Sequence, residues 1–299
     1  MGKLAEKIKR HARLAVQVGF TVATNGNLRG FYEGGIYRGN GKTVCVPGLN
    51  CYSCPGALGA CPIGSLQAVQ GSNTFRVSYY VLGLLVLFGA LLGRFVCGWL
   101  CPFGLVQDLL HKIPFFKKAR ALPGERYLRL LRYAVLLVLV LALPMFLRDG
   151  NGLSTPWFCK LVCPAGTLMG GIPLTLRNPL LAANIGFLFW WKVGILALVA
   201  VGSLLLWRPF CRYLCPLGAI YGLFNPVAAV RHAVDEEKCT HCGACRRACK
   251  LDIPAYEKPN AFDCVRCGDC LRACPTDALH TTLRFAKRDA SAMQPPAED

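Results

Sequence analysis

Acidic residues and histidines are scarce in this sequence. Sixteen Asp and Glu stand against 34 Lys and Arg among 299 residues, and the only histidines are His11, His111, His232, His241 and His280. None lies in a confident membrane span, so we expect no bound haem, whose iron needs axial ligands such as His. No constellation of acid, base and nucleophile is recognisable, and we predict no catalytic residue.

The net charge of +18 also lacks the motifs that accompany nucleic-acid binding. The basic residues concentrate in 1–13, 94–132 and 208–299, whereas 25–76 and 148–186 carry few. If the chain crosses a membrane four times, every basic segment falls on one side, which the positive-inside rule assigns to the cytoplasm. We therefore expect membrane lipid rather than nucleic acid as a partner, and a multi-pass protein of the cytoplasmic (inner) membrane.

Apolar runs supply the four expected spans. Residues 77–93, 133–147 and 187–207 are long enough, or nearly so, for helices that cross a bilayer in about 20 residues. Residues 12–24 are shorter and show no signal-peptide cleavage site, and an amphipathic helix lying in the interface is the alternative there. A spanning first helix is favoured because three spans would leave the basic N-terminus outside.

Cysteine is abundant, with 18 residues, and its spacing indicates metal rather than a disulfide framework. Two runs near the C-terminus have the Cys-x2-Cys-x2-Cys-x3-Cys spacing of bacterial two-cluster ferredoxins, in which the fourth cysteine of each run ligates the other cluster. The spacing therefore predicts one [4Fe-4S] site from Cys239, Cys242, Cys245 and Cys274, and a second from Cys264, Cys267, Cys270 and Cys249.

Four further cysteines, Cys61, Cys101, Cys163 and Cys215, each begin a Cys-Pro-x-Gly motif. Proline suits the first helical position, a helix N-terminus stabilises a thiolate, and glycine lets the backbone approach a cluster. One apolar run separates successive motifs, so the motifs alternate between the membrane faces in two parallel repeats.

The alternation predicts one thiolate set at each face. The inner set is Cys97, Cys101, Cys211 and Cys215, because Cys97 and Cys211 stand four residues before their partners. The outer set contains Cys61, Cys159 and Cys163, but position 57 is Ala. Its fourth ligand would come from Cys45, Cys51 or Cys54, with Cys54 preferred because it is nearest and precedes a proline. The remaining two would form a disulfide or help to bind a second centre.

These patterns predict an all-α membrane protein with about four transmembrane helices in two parallel repeats, plus a small α+β two-cluster ferredoxin domain. The expected domains are a first repeat (1–111), a second repeat (112–232), a cytoplasmic ferredoxin domain (233–285) and a disordered tail rich in Ala, Pro and acidic residues (286–299).

The Cys-x-x-x-Cys-Pro pairs at Cys97/Cys101 and Cys211/Cys215, followed by the ferredoxin tail, resemble the membrane-bound polyferredoxins. That family includes the membrane iron–sulfur subunit that accompanies periplasmic nitrate reductase, and is related to the nitrous-oxide-reductase regulator and a cytochrome-oxidase assembly reductase. The resemblance implies an electron carrier between quinol or cytoplasmic donors and partners across the membrane. The outer cysteines depart from the simplest members and suggest additional membrane clusters.

The function expected is an electron-transfer subunit of an oxidoreductase complex, with partner subunits on both faces. It would relay electrons from the two tail clusters through two membrane clusters. One alternative is quinol oxidation or quinone reduction at a membrane face. Another is reduction of a metal or thiol during maturation of another metalloenzyme. A third is a structural anchor whose outer cysteines form disulfides.

Overall fold

The computed structural model describes residues 2–72, 78–114, 118–149 and 153–284, with side chains from residue 12 onward. Within these ranges the chain is mostly helical and contains one two-stranded sheet. The mostly helical fold class is therefore confirmed. The tail predicted to be disordered, 286–299, lies outside the described residues, and the domain boundaries stay predictions.

Helices of varied length make up the region of the first repeat. In chain order they are Gly2–Thr24, Leu28–Glu33, the 3-10 helix Asn40–Thr43, Pro62–Gln70, Tyr79–Leu92, Phe95–Trp99 and Pro102–Lys112.

The second repeat begins with one continuous helix that contains a π-helical segment. Its elements are Glu125–Val135, the π segment Leu136–Ala142, Leu143–Phe146, Trp157–Leu161, Pro164–Gly166, the π segment Thr167–Gly171, Ile172–Arg177, Pro179–Ala183, Phe187–Leu205, Pro209–Tyr213 and Pro216–Phe224.

Two of these helices are long and apolar enough to cross a membrane. Glu125–Phe146 has 22 residues and Phe187–Leu205 has 19, each with a mean hydropathy of 2.0. Only 28% and 11% of their apolar windows are buried in the protein, so most of their apolar surface faces outward, as contact with lipid requires. Tyr79–Leu92 is apolar but has only 14 residues. Four spans, and the side on which each end lies, stay predictions.

The cysteine of each Cys-Pro-x-Gly motif caps a helix that has proline in its first turn. The helices begin at Pro62, Pro102, Pro164 and Pro216. The sulfur of Cys215 accepts a hydrogen bond from the backbone N–H of Gly218 at 3.4 Å, which satisfies one of the free donors at the helix start. The motif therefore places a thiol at a helix N-terminus, as the sequence predicts.

The C-terminal region is closed by the strands Val230–Val234 and Leu279–Leu283, which pair antiparallel with His232 opposite Thr281. Its short helices are Ala244–Ala248 and Asp269–Arg272. One hydrophobic core runs through both repeats and continues into this region at Leu251, Ile253 and Val265. The ferredoxin-like region is therefore packed directly against the helical repeats.

Candidate iron–sulfur sites

The eight tail cysteines line two separate cavities. Cys239, Cys242, Cys245 and Cys274 line one, and Cys249, Cys264, Cys267 and Cys270 line the other. The structure thus brings together the two groups that the ferredoxin spacing predicts, including the exchange of the fourth cysteine between runs. His241 and Arg266 occupy the same place in the two runs and both have positive φ, 51° and 52°. This shared turn indicates that both runs wrap their cavities in the same way.

The four thiols of the inner set are all buried, with 2–5% exposure. Two buried arginines tie the repeats together around them. Arg94 Nη2 donates to the carbonyl oxygen of Cys211 at 2.9 Å, and Arg208 Nη1 donates to the carbonyl oxygen of Cys97. Each arginine stands three residues before the first cysteine of its own pair and reaches the first cysteine of the other. The exchange is reciprocal, as two related repeats would produce.

The positive charges of these arginines are held by carboxylates. Arg208 makes a bidentate pair with Asp108, at 2.8 Å from Nε to Oδ1 and 2.5 Å from Nη2 to Oδ2. Burial favours the neutral form of Asp108, but Arg208 and Arg13 outweigh it and lower its pKa to about 2. Arg94 lies 3.6 Å from Asp263. Burial raises the pKa of the Cys97 and Cys211 thiols, and the charges of Arg94 and Arg208 oppose this effect and so favour thiolate ligands.

A fully buried glutamine also contacts the inner set. Gln107 Nε2 donates to the sulfur of Cys211 at 3.1 Å, and its Oε1 accepts from the backbone N–H of Phe210 at 3.2 Å. The amide is thus oriented by one bond and presents its donor to a ligand sulfur. Hydrogen bonds to sulfur are among the factors that set the reduction potential of a cluster.

The outer set repeats this arrangement. Gln67, also fully buried, has Nε2 3.6 Å from the sulfur of Cys159 and accepts from the backbone N–H of Phe158 at 3.0 Å. Gln67 and Gln107 each stand six residues after a motif cysteine, Cys61 or Cys101. The glutamines, which the sequence analysis missed, could have been found from this shared spacing.

The three candidates for the fourth outer ligand occupy different places. The position that a Cβ would take at Gly166 lies 3.7 Å from Cys51 Sγ and 3.9 Å from Cys163 Sγ, so these sulfurs flank one glycine. Cys54 is buried and interacts with Cys51 and Lys42. Cys45 Sγ bonds Ser65 Oγ at 3.4 Å. Of the three candidates, Cys51 is therefore the one whose sulfur lies beside the Cys163 motif, and the identity of the fourth outer ligand stays a prediction.

The buried segment Pro47–Asn50 connects the inner and outer sets. Burial raises the pKa of the thiols of Cys101 and Cys61, and adjacent backbone N–H groups oppose this effect, Leu49 at Cys101 and Asn50 at Cys61. Gly48 allows the approach, since a Cβ there would lie 3.1 Å from the Cα of Cys101. Two consecutive amides thus face one thiol of each set.

The donor sets fit iron–sulfur clusters. Within the described ranges, no three His, Cys, Asp or Glu side chains converge on a point that would hold a single metal ion. A cubane has four irons among its ligands, so its thiolates surround a volume instead of a point. The sulfurs of Cys211 and Cys215 act as hydrogen-bond acceptors, as metal-bound thiolates do. Soft thiolate donors alone select iron–sulfur clusters and similar soft centres.

Comparisons with known proteins agree with this chemistry. Residues 77–123 and 187–231 match one family model described as a 4Fe-4S binding domain, and 232–254 and 258–280 match a second with the same description. The first pair of segments contains the inner thiols and the second pair contains the tail runs. No solved structure matches the chain.

Several curated relatives match more than half of this chain. An uncharacterized protein of Methanocaldococcus jannaschii is 31% identical over 212 residues, which are 69% of this chain and 79% of the relative. The methylamine utilization ferredoxin-type protein MauN of Methylorubrum extorquens is 30% identical over 64% of this chain and 55% of its own length. The ferredoxin-type protein NapH of Haemophilus influenzae is 27% identical over 56% and 51%.

The fold and the thiol sets define an iron–sulfur protein with helices suited to a membrane. The chain belongs to the membrane-associated polyferredoxin family of the NapH/MauN type. It spans 79% of the archaeal relative but only about half the length of the MauN and NapH relatives. Iron–sulfur electron transfer fits both the family and the tail cavities.

Proposed function

We propose that this protein is a multi-pass iron–sulfur electron carrier of the cytoplasmic membrane. It relays electrons between two cytoplasmic ferredoxin-type sites and the opposite membrane face through an inner and an outer membrane site. When bound, [4Fe-4S] clusters would supply one-electron exchange at each site. The chain itself holds the sites at fixed spacing, excludes water and sets their electrostatic surroundings.

The observation that supports this proposal is the close packing of the backbone segments that carry successive thiol sets. On the cytoplasmic side, the tail run from Asp263 to Arg266 packs on the helix Phe95–Trp99, which carries Cys97. Trp99 Nε1 donates to the carbonyl oxygen of Arg266 at 3.0 Å, and a Cβ at Gly98 would lie 2.3 Å from the carbonyl oxygen of Val265. Only glycine permits that approach, which brings a tail site against the inner site.

The segment that connects the inner and outer sets keeps the electron-transfer step between them short. The hydrocarbon core of a bilayer is about 30 Å thick, too far for one useful transfer step. The Cys101 and Cys61 thiols are separated by one peptide unit and two N–H contacts, on the order of 10 Å, since one residue spans about 3.8 Å. The buried, irregular Pro47–Asn50 segment supports this reading, because such backbone at membrane depth must be shielded by protein.

A strongly basic cavity next to Cys249 supports docking of an acidic cytoplasmic redox partner. It lies between the first helix, the helix Pro102–Lys112 and the tail, beside Trp207. The cations that line it are Arg13, Lys112, Lys118, Arg120, Arg247, Lys250 and Arg272. Charge complementarity of this kind raises association rates and selects partners. A second partner would meet the outer site.

Replacement of Cys101 by Ala, which removes the ligand atom, tests the relay. The protein would be purified anaerobically and reconstituted in vesicles with an electron donor and an acceptor on opposite sides. Transfer across the membrane should be lost, while the tail clusters keep their iron and their EPR signals. Cys45→Ala is the matched control, because Cys45 is a buried thiol that bonds Ser65 outside the four sets. Wild-type transfer by the Cys101 variant would contradict the relay.

A further inference from the structure

The inner and outer sites share one construction. At each, a glutamine of the first repeat contacts the first cysteine of the second-repeat pair: Gln107 at Cys211 and Gln67 at Cys159. At each, the same glutamine accepts from the residue just before that cysteine, Phe210 or Phe158. These four contacts join residues that are far apart in sequence, so local sequence does not explain why they match. The two sites are therefore built in the same way.

Comparison of the two sites shows that the outer site lacks one cysteine of the first repeat. The inner site takes Cys97 and Cys101 from the first repeat, but the outer site has only Cys61, because Ala57 stands where Cys97 would. Ala57 is fully buried, so its side chain is enclosed by protein and leaves no room for an external ligand there. The fourth donor must come from a neighbouring segment.

Cys51 lies where it can supply the ligand that Ala57 cannot. Its sulfur faces Gly166, the glycine of the Cys163 motif. In the Cys61 motif, a Cβ on Gly64 would lie 3.8 Å from the sulfur of Cys159. Each motif glycine therefore approaches a thiol from the opposite segment. Cys51 is also among the groups that act electrostatically on Cys61, Cys159 and Cys163.

The contacts of Cys54 differ from those of Cys51. The backbone N–H of Cys54 bonds the carbonyl oxygen of Cys51 at 3.0 Å, and that of Ala57 bonds the carbonyl oxygen of Cys54 at 3.2 Å. These consecutive turns hold Cys54 next to Cys51, but the sulfur that lies beside Gly166 is that of Cys51. The groups that act on Cys54 are Cys51 and Lys42, together with neighbouring amides.

Both sites also have a positively charged side chain beside a motif glycine. There, Arg208 lies 3.2 Å from the Cβ position of Gly104 and Arg94 lies 3.2 Å from that of Gly218. At the outer site, Lys192 Nζ lies 3.9 Å from the Cβ position of Gly166, next to Cys51 and Cys163. A lysine near one end of the helix Phe187–Leu205 thus takes the place of an arginine beside the motif glycine.

From this geometry we infer that Cys51, Cys61, Cys159 and Cys163 form the outer [4Fe-4S] site, with Gln67 and Lys192 beside it. Cys51 supplies the ligand that Ala57 lacks, and Cys54 and Cys45 are not ligands. The inference rests on the proposed relay, since it names the ligands of its outer site.

Iron and acid-labile sulfide per chain test the ligand set, measured on full-length protein purified anaerobically. Cys51→Ala should lose about four irons, one cubane, whereas Cys54→Ala and Cys45→Ala should keep the wild-type content. Cys51→Ser provides a second reading if the Ala variant fails to fold. A serine oxygen can retain the cluster but should shift its EPR spectrum and lower its potential, with the tail signals unchanged.

The outcomes separate the ligand inference from the relay itself. If Cys54→Ala loses about four irons and Cys51→Ala none, the ligand inference is overturned and the relay survives. If wild-type protein holds clusters at the inner and tail sites only, about twelve irons, no outer cluster exists and both fail. Loss confined to Cys51 variants, with unchanged EPR signals from the tail and inner sites, supports the inference.

Discussion

Replacement of Gln107 by Leu should lower the reduction potential of the inner site. The Gln107 Nε2–H group donates to Cys211 Sγ at 3.1 Å, and both side chains are buried. Reduction adds one negative charge to a cluster, so a donor stabilises the reduced form more than the oxidised form. Leucine has a similar size but no donor, and it removes that preference.

The magnitude follows from the strength of one hydrogen bond. A hydrogen bond to a charged group contributes about 1.5–3 kcal/mol, and we take roughly half of that as the difference between the two redox states. A tenfold change in equilibrium is about 1.4 kcal/mol, or 59 mV for one electron. The potential of the inner site should therefore fall by roughly 30–60 mV. The corresponding Gln67→Leu change should lower the outer potential by less, because its contact is 3.6 Å.

EPR-monitored redox titration of the purified protein measures both potentials. Gln70→Leu is a matched control, since Gln70 is a mostly buried glutamine one turn beyond Gln67 on the same helix. An unchanged inner potential in Gln107→Leu, with iron content at the wild-type level, would refute the assigned role of this amide. A shift of the tail potentials instead would show that the contact lies at a different site.

Three further predictions concern the ion pairs, the basic cavity and the connecting segment. Asp108→Asn should lower the free energy of unfolding by about 2 kcal/mol at neutral pH, because the native pKa of about 2 lies below the ordinary 3.8. That stabilisation is complete above pH 4 and disappears as the pH falls toward 2, so denaturant titrations of variant and wild type should converge there. Lys118→Glu should slow reduction by an acidic ferredoxin-type donor several-fold at low salt and much less at high salt, as stopped-flow kinetics would show, and equal rates would remove the basic cavity from docking. Gly48→Ala should slow inner-to-outer transfer without loss of iron, because its Cβ would press on Cys101 and Pro102, and an unchanged single-turnover rate would contradict this route.

Local patterns in the sequence predicted those features that depend on local chemistry. Cysteine spacing grouped the first three thiols of each tail run as the structure places them, because a short turn between close cysteines leaves few alternatives. The Cys-Pro-x-Gly motif predicted a capped helix for the same reason. Each such inference needs only a few neighbouring residues, for example Cys215 and Gly218. The exchange of Cys249 and Cys274 between the runs followed from the ferredoxin spacing pattern instead.

Features that depend on contacts between distant segments could not be predicted from local sequence patterns. Proximity in sequence favoured Cys54, whereas the observation that supports Cys51 is the approach of Gly166 from the second repeat, a contact between distant segments. The exchange of Arg94 and Arg208 between repeats likewise spans more than 100 residues. Their shared spacing before Cys97 and Cys211 was visible, but its meaning required the packing of one repeat on the other.

The central claim is that thiolate sites continue from the tail through the membrane repeats to the outer face. Iron and acid-labile sulfide per chain, measured on anaerobically purified full-length protein, test it most directly. The account predicts about sixteen irons, four cubanes, with two in the tail and two in the repeats. About eight irons would confine the clusters to the tail and contradict the relay.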